Sequence, residues 1–350
     1  MSDKKLSRST KIAHAGLNPE ENFGIPNPPV YHASTILYPD SKSRRHRKVP
    51  YEYGRFGTPT SNAICKVISD LYDAEGTVIA PSGLAAATIA FLAFLRPGDH
   101  ILVTDNAYGS TRNFISEYLP SINIDVEFYP PTIKPDQLEK MFLTNTKLIY
   151  FETPGSLTFE LQDLSVLTKV AKDKNIITLT DNTWATALGQ NSFDLGVDII
   201  IESFTKYIVG HSDVMMGGII SNGDFLKKIK KQARIMGQCC GPDDIYLALR
   251  GLKTMELRLK QSFASSLIIA EWLSNVPLVL KVLHPGHKSH PDYKIFTKDY
   301  KLGAGLFAFE LKTKDLEKVD RFIDNLNLFG IGASWGGFES LVLEADLEQI

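Results

Sequence analysis

Lys206 is the residue whose neighbours most favour covalent chemistry. It follows the apolar run of residues 197–201, whose length and composition are typical of a buried strand. Its neighbours in the chain are also largely apolar, so its amine is predicted to be partly desolvated and neutral near pH ~7. A neutral amine can attack an aldehyde and form a Schiff base. Most lysines are solvated surface charges, so this prediction depends on what the rest of the chain places beside Lys206.

Two hydroxyl groups lie close to this lysine in the chain. Ser203 and Thr205 could donate hydrogen bonds to a phosphate. Pyridoxal phosphate is an aldehyde that carries a phosphate, so the pattern suggests this cofactor held covalently on Lys206. The cofactor also needs a carboxylate beside its ring nitrogen, an aromatic neighbour and further phosphate ligands, which other elements of the chain must position.

An alternation of short apolar runs and helix-like segments begins near residue 76. The apolar runs cover residues 77–80, 100–104, 147–151, 176–180 and 198–201. Segments such as 85–95 and 161–174 between them have helical composition. This alternation predicts an α/β fold with a mostly parallel sheet between helices, in which ligands bind at the carboxyl ends of the strands.

Two of these strand ends carry side chains that suit a pyridine ring. Asp181 directly follows an apolar run and could keep the ring nitrogen protonated, although an aspartate there can also cap the next helix. Tyr108 follows another run and could stack on the ring and assist proton transfer, or simply pack. Both side chains are therefore candidates for the same site as Lys206.

Two further segments could bind a phosphate. Ser82, Gly83 and Leu84 stand at a turn from strand to helix, where free amide groups and the helix dipole favour an anion, although a plain turn is the alternative. Tyr53 and Arg55 point the same way if the backbone is extended, so a phenol and a guanidinium could clamp a phosphate, or form a surface turn.

The ends of the chain differ from its middle. Prolines between residues 26 and 50 predict an extended N-terminal arm over residues 1–57. The basic stretch 42–48 predicts a solvated loop rather than a nucleic-acid contact, because the chain is nearly neutral. A second, smaller domain is predicted from a long helix at 244–274, strands at 303–311 and 341–343, and a helix at 314–326.

The loop around Ser334 and Trp335 is rich in glycine. It could stand at the mouth of the site or form an ordinary turn. Histidines 284, 287 and 290 share another loop, but no companion cysteine or carboxylate set accompanies them, so no metal site is predicted.

Composition limits the remaining function classes. With 350 residues, 43% of them hydrophobic, the chain can form a large core and two domains. A formal net charge of -2 implies no general attraction to nucleic acid or membranes. The N-terminus lacks the apolar core of a secretory signal, and no run is long enough to span a membrane. The three cysteines form no CxxC pair, so a reducing, cytoplasmic location is expected.

Several stretches together resemble the family of Cys/Met-metabolism pyridoxal phosphate enzymes. The lysine stretch SFTKYIVGHSDVMMGG is similar to the family's lysine signature, and YGRFGTPT, PSGLAAA, DNAYGSTRNF and TDNTWAT resemble its other blocks in the same order. ETPGSLTFELQD at 152–163 and SWGGFESL at 334–341 most resemble the cystathionine β-lyase branch.

The resemblance implies a fold and a role for each candidate residue. The fold would be that of type I pyridoxal phosphate enzymes, with an arm at 1–57, a cofactor domain at 58–252 and a small domain at 253–350. Lys206 would bind the cofactor and move protons, Asp181 would pair with the ring nitrogen, and Tyr108 would stack on the ring. The phosphate would be held by Ser82, Gly83, Leu84, Ser203 and Thr205, and in the neighbouring subunit by Tyr53 and Arg55. Ser334 and Trp335 would lie near the substrate carboxylate.

The implied assembly is at least a homodimer and typically a homotetramer. The implied reaction is α,β-elimination of a sulfur amino acid such as cystathionine, giving homocysteine, pyruvate and ammonia in methionine biosynthesis. In this family an arginine in the last strands grips the substrate carboxylate, yet no arginine follows Arg321 here. A truncated small domain is therefore expected. A γ-lyase, a γ-synthase and a catalytically weakened or non-catalytic homologue stay open as alternatives.

Overall fold

A computed structural model describes residues 6–345 of the chain. Its main sheet contains seven strands: β1 (Gly76–Ala80), β2 (His100–Thr104), β3 (Asp125–Tyr129), β4 (Thr146–Glu152), β5 (Ile177–Asp181), β6 (Ile199–Glu202) and β7 (Gly217–Ser221). Their order across the sheet is β1-β7-β6-β5-β4-β2-β3. All neighbours are parallel except β7, which runs antiparallel to both β1 and β6. The predicted α/β fold with a mostly parallel sheet is confirmed.

Strands β3 and β7 were not predicted, for different physical reasons. β3 lies at the edge of the sheet and alternates exposed acids with half-buried apolar residues, so it lacks a continuous apolar run. β7 begins with Gly217 and Gly218, which composition alone places in a loop. A Cβ on Gly218 would lie 2.1 Å from the ring of Phe204, so these glycines admit the close packing of the turn that carries Lys206.

Helices cover both faces of the sheet. They are α1 (Arg8–Ala13), α2 (Ser41–His46), α3 (Pro59–Tyr72), α4 (Gly83–Phe94), α5 (Gly109–Asn113), α6 (Leu119–Ser121), α7 (Pro135–Met141), α8 (Leu164–Asp173), α9 (Thr186–Gly189), α10 (Gly223–Met236), α11 (Pro242–Leu252), α12 (Met255–Ser274), α13 (Tyr293–Asp299) and α14 (Leu316–Asp324). Side chains alternate along the strands, so Ile200 joins the core under α3, α8 and α11, whereas Ile199 and Ile201 join the core under α4.

The C-terminal part is more interrupted than predicted. The predicted helix over 244–274 is divided into α11 and α12. Near the end of α11, Gly251 packs so closely on the turn after Lys206 that a Cβ there would lie 2.1 Å from the Val209 carbonyl oxygen. The predicted strand at 303–311 shortens to β9 (Ala308–Leu311), which pairs with β8 (Val279–Leu283). β10 (Gly330–Ile331) and β11 (Leu341–Val342) pair in parallel, and α14 confirms the helix predicted at 314–326.

The basic stretch and the histidine loop each have a defined local structure. The basic stretch forms α2, capped by Asp40, rather than a loop. The three histidines bond to neighbouring groups, as His284 does to Ser266 at 2.8 Å. Within residues 6–345 no cluster of histidine, cysteine and acidic side chains suits a metal ion, and no helix combines the length and apolar character needed to cross a bilayer.

Candidate active site

Lys206 lies in the turn that follows β6. The turn is closed by backbone hydrogen bonds such as Gly210 N–H to the Lys206 carbonyl at 2.8 Å, and Phe204 and Tyr207 on either side are buried. Burial lowers the pKa of the Lys206 amine, and the nearby Asp181 carboxylate partly opposes this shift. The amine therefore loses its proton more readily than that of a solvated lysine, as nucleophilic attack requires.

A loop more than a hundred residues later meets this amine. Lys206 Nζ donates to Ser334 Oγ at 2.9 Å and lies 5.3 Å from the Trp335 ring centroid. The loop passes close because Gly336 has φ +82°, and a Cβ there would lie 3.1 Å from the Lys206 carbonyl carbon. The structure thus brings Ser334 and Trp335 together with Lys206.

Asp181 is the last residue of β5, on the strand beside β6. Its Oδ1 accepts from the Thr183 N–H at 2.8 Å. Burial raises the pKa of Asp181, whereas the hydrogen bonds from Thr183 and the charge of Lys206 lower it. The two groups act on each other electrostatically, so the amine and the carboxyl group lie near each other.

The start of α4 forms a cradle against Ser203. A Cβ on Gly83 would lie 2.7 Å from both Cβ and Oγ of Ser203, so a residue without a side chain is required for this approach. Ser82 Oγ accepts from the Ala85 N–H at 3.0 Å. The Gly83 and Leu84 amides have no intrahelical acceptor, because these are the first residues of α4. These amides and the Ser203 hydroxyl, which has no side-chain hydrogen bond within residues 6–345, fit the phosphate of pyridoxal phosphate.

Thr205 and Tyr108 differ in how available their side chains are for a cofactor. The Thr205 hydroxyl accepts from the Met216 N–H at 2.9 Å and donates to the Met216 carbonyl at 3.1 Å, so binding a phosphate requires it to release that carbonyl. Tyr108 is half exposed at the end of β2, and its backbone N–H donates to Glu152 Oε2 at 2.9 Å. Its ring is accessible for stacking.

Tyr53 and Arg55 lie on the surface. Arg55 donates to the Arg234 carbonyl at 3.2 Å, and its guanidinium lies 4.7 Å from the Phe56 ring centroid. Among the described residues, neither side chain bonds to the start of α4 or to the turn after β6. A role toward the cofactor of a neighbouring subunit therefore stays a prediction.

Sequence reasoning missed two buried acids at the same sheet edge. Glu152 ends β4 and Glu202 ends β6, so they flank Asp181. Burial, together with the charge of Asp181, raises the pKa of Glu152 well above its usual range and that of Glu202 to about 8. The sequence pattern that could have found them is an acid placed directly at the end of an apolar run, as in KLIYFE and DIIIE. The composition of a loop after the strand does not account for an acid within the run itself.

Comparison with known proteins gives a consistent result. The profile of a family described as Cys/Met metabolism PLP-dependent enzyme matches residues 9–349. A putative cystathionine beta-lyase of Rhizobium johnstonii is 43% identical over 343 residues, covering 97% of this chain and 86% of that protein. An L-alanine/L-glutamate racemase of Wolbachia pipientis is 36% identical over 356 residues, covering 97% of this chain and 88% of that protein.

A solved structure shows the same fold. The cystathionine gamma synthase of Xanthomonas oryzae pv. oryzae, in complex with aminoacrylate and cysteine, superposes with a TM-score of 0.91. It is 29% identical and covers 96% of this chain and 86% of that chain. The similarity thus extends over both the sheet and the C-terminal part.

Proposed function

This chain belongs to the family of Cys/Met metabolism PLP-dependent enzymes, which makes pyridoxal phosphate its cofactor, and we propose that it catalyses α,β-elimination of cystathionine. The observation that carries the proposal is the Lys206 amine, held by Ser334 and set near Asp181. Several relatives at 34–43% identity bear the name cystathionine beta-lyase, which supports the choice of substrate. The products would be homocysteine, pyruvate and ammonia.

The residues at the start of α4 and at the ends of β5 and β6 would bind the cofactor. The amides of Gly83 and Leu84 and the hydroxyl of Ser203 bind the phosphate, and Asp181 keeps the ring nitrogen protonated. When bound, pyridoxal phosphate supplies an electron sink that makes the substrate's α-proton acidic. Tyr108 contributes an accessible ring for stacking.

Lys206 moves the proton. Its Nζ would accept the substrate's α-proton, and burial, which lowers the pKa of this amine, makes the neutral form that can do so easier to reach. Ser334 Oγ fixes the direction of Nζ at 2.9 Å, and Trp335 packs on the buried Tyr207 at 5.5 Å between ring centroids. The Lys206 ammonium would then give a proton to the sulfur of the departing homocysteine thiolate.

The test is incubation of the purified protein with cystathionine and identification of both products. Homocysteine with pyruvate supports β-elimination, whereas cysteine with 2-oxobutyrate identifies γ-cleavage, the alternative favoured by the similarity to a γ-synthase. Alanine or glutamate that changes configuration would identify racemisation, the activity named for another relative. Lys206→Ala is the control, and normal turnover by that variant would refute the mechanism. A yellow, cofactor-loaded protein that turns over none of these substrates would be the weakened or non-catalytic homologue.

We also propose a homodimer at least, and a homotetramer by family resemblance, in which Tyr53 and Arg55 reach the neighbour's cofactor phosphate. Both side chains are exposed, as a contact with a second subunit requires. Mixing two inactive variants, Lys206→Ala and Arg55→Ala, tests this arrangement, because hybrid dimers would regain one complete site. Absence of any recovered activity in proven hybrids would exclude it. We place this proposed function in methionine biosynthesis in the cytoplasm.

A further inference from the structure

Three carboxyl groups end three neighbouring strands. Glu152 pairs with Asp181 across β4 and β5, and Asp181 lies opposite Ile201, the residue before Glu202. Asp181 faces Lys206, and Glu152 accepts from the backbone of Tyr108. Glu202 has no task in the site described so far.

Glu202 is linked to the Asp181 segment by two hydrogen bonds in series. Its Oε2 accepts from the Tyr72 hydroxyl at 2.5 Å, and the same hydroxyl accepts from Asn182 Nδ2 at 2.9 Å. Glu202, Tyr72 and Asn182 are each at most 2% exposed. No ion pair joins Glu202 to a lysine, arginine or histidine in the described part of the chain.

The linked segment is the one that carries the site. Asn182 N–H donates to the Ile201 carbonyl at 2.9 Å, and Ser203 N–H donates to Thr183 Oγ1 at 2.8 Å. These bonds connect the two strand ends directly. The bonds through Tyr72, the last residue of α3, connect both strand ends to a helix outside the sheet.

We propose that Glu202 is a positioning residue for Asp181: with Tyr72 and Asn182 it fixes the end of β5 against the turn that carries Ser203 and Lys206. This inference rests on the proposed function, because Asp181 matters there as the partner of the cofactor's ring nitrogen. It assigns to Glu202 a hydrogen-bonding role that is independent of the substrate.

Glu202 performs this role as a neutral acid. An ionised carboxylate in this buried place, without a cation, would be strongly destabilising. The titratable groups that act on it are Tyr72 from α3 and Asp181 from β5, while β7 opposite presents Gly218. Burial and the charge of Asp181 raise the pKa of Glu202, and the Tyr72 hydrogen bond lowers it, which leaves about 8. Asp181 then provides the negative charge for the ring nitrogen.

The test compares three variants with a control. Glu202→Gln keeps an oxygen acceptor for Tyr72 without a charge, Glu202→Leu removes the acceptor, and Tyr72→Phe removes the hydroxyl. Glu310→Gln, an exposed glutamate on β9, is the control. The dissociation constant and visible absorbance of bound pyridoxal phosphate are measured at pH 7 for all four and for the wild type.

Glu202→Gln is expected to bind the cofactor within about threefold of the wild type, whereas Glu202→Leu and Tyr72→Phe are expected to bind it at least about tenfold more weakly with a shifted absorbance, since each loses about one hydrogen bond of the link. Wild-type affinity and absorbance in Glu202→Leu would overturn the proposal. So would a variant that unfolds more easily yet keeps both properties, because that outcome describes a structural residue only.

Unfolding of the cofactor-free protein tests the charge state. A carboxyl group whose folded-state pKa is raised stabilises the fold below its unfolded pKa of about 4.3, and that stability is lost as pH rises through the folded value. The urea midpoint of the wild type is therefore expected to fall more between pH 5 and 9 than that of Glu202→Gln. Equal or opposite slopes would overturn the neutral form. These measurements need no substrate, so failure of cystathionine cleavage would refute the proposed function alone.

Discussion

Replacing Gly83 by alanine tests the phosphate cradle most directly. The added Cβ would lie 2.7 Å from Cβ and Oγ of Ser203 and 3.3 Å from its Cα, so either the start of α4 or the turn after β6 has to move. The backbone at Gly83 does not have a positive φ, so alanine adds no backbone strain and the effect is steric. Overpacking of this kind costs roughly 1–3 kcal/mol.

This strain acts where the phosphate binds, so most of it is expected in cofactor affinity. A loss of 1–3 kcal/mol corresponds to roughly 5–150-fold weaker binding. The assay is titration of the cofactor-free protein with pyridoxal phosphate, followed by absorbance. Gly109→Ala is the matched control, because Gly109 also begins a helix at this edge of the sheet and a Cβ there meets nothing within 4 Å.

Two results would refute the reasoning. Unchanged cofactor affinity in Gly83→Ala would mean that the phosphate does not use this cradle. An equal loss in Gly109→Ala would mean that any helix start at this edge is sensitive, and not the contact with Ser203. Urea unfolding of the cofactor-free variants separates lost binding from lost stability.

Three further predictions concern Ser334, Asp181 and His284. Ser334→Ala removes the 2.9 Å bond to Lys206 Nζ and is expected to lower kcat about tenfold, while Ser340→Ala, in the same loop, leaves it unchanged. Asp181→Asn removes the charge beside the ring nitrogen, whose pKa is expected to fall by roughly 1–3 units in a spectroscopic titration, with a corresponding loss of turnover. Burial lowers the pKa of His284 to about 4, below the value near ~6.5 expected in the unfolded chain. The free energy of unfolding should therefore fall by roughly 3 kcal/mol as the pH drops from ~6.5 toward 4. His284→Gln should reduce this pH dependence in urea unfolding.

The sequence predicted the parts of the fold that rest on local pattern. Apolar runs located β1, β2, β4, β5 and β6 within about a residue, and their order implied the edge where Lys206 and Asp181 meet. Local pattern failed where long-range packing decides. The glycines of β7 are typical of a loop, although Gly218 packs against Phe204 within a strand. Residues 303–305 were predicted as strand but precede β9, and Gly303 packs against Phe263 there.

The candidate site shows the same contrast between local sequence pattern and long-range packing. Residue types at strand ends predict Asp181, Tyr108 and the start of α4 as site candidates, because parallel strands share one edge. Nothing local connected Ser334 to Lys206 across 128 positions, and the family resemblance supplied only a general place near the substrate. The hydrogen bond from Thr205 to the Met216 carbonyl likewise depends on long-range structure, because Met216 directly precedes β7, which pairs antiparallel with β6.

The three acids at this sheet edge explain why a hydrogen-bond donor from outside the sheet is needed there. Carboxyl groups on adjacent strand ends in a buried place repel when ionised, so the arrangement is stable only if most of them hold protons or accept several hydrogen bonds. Glu152 receives the Tyr108 amide and the Tyr150 hydroxyl, and Asp181 receives the Thr183 amide and the charge of Lys206. Glu202 has no such amide within residues 6–345, so Tyr72 on α3 supplies its donor. Loss of that hydroxyl would leave a buried acid and a buried amide without their common partner, and the strain would fall on the strand end that carries Asp181.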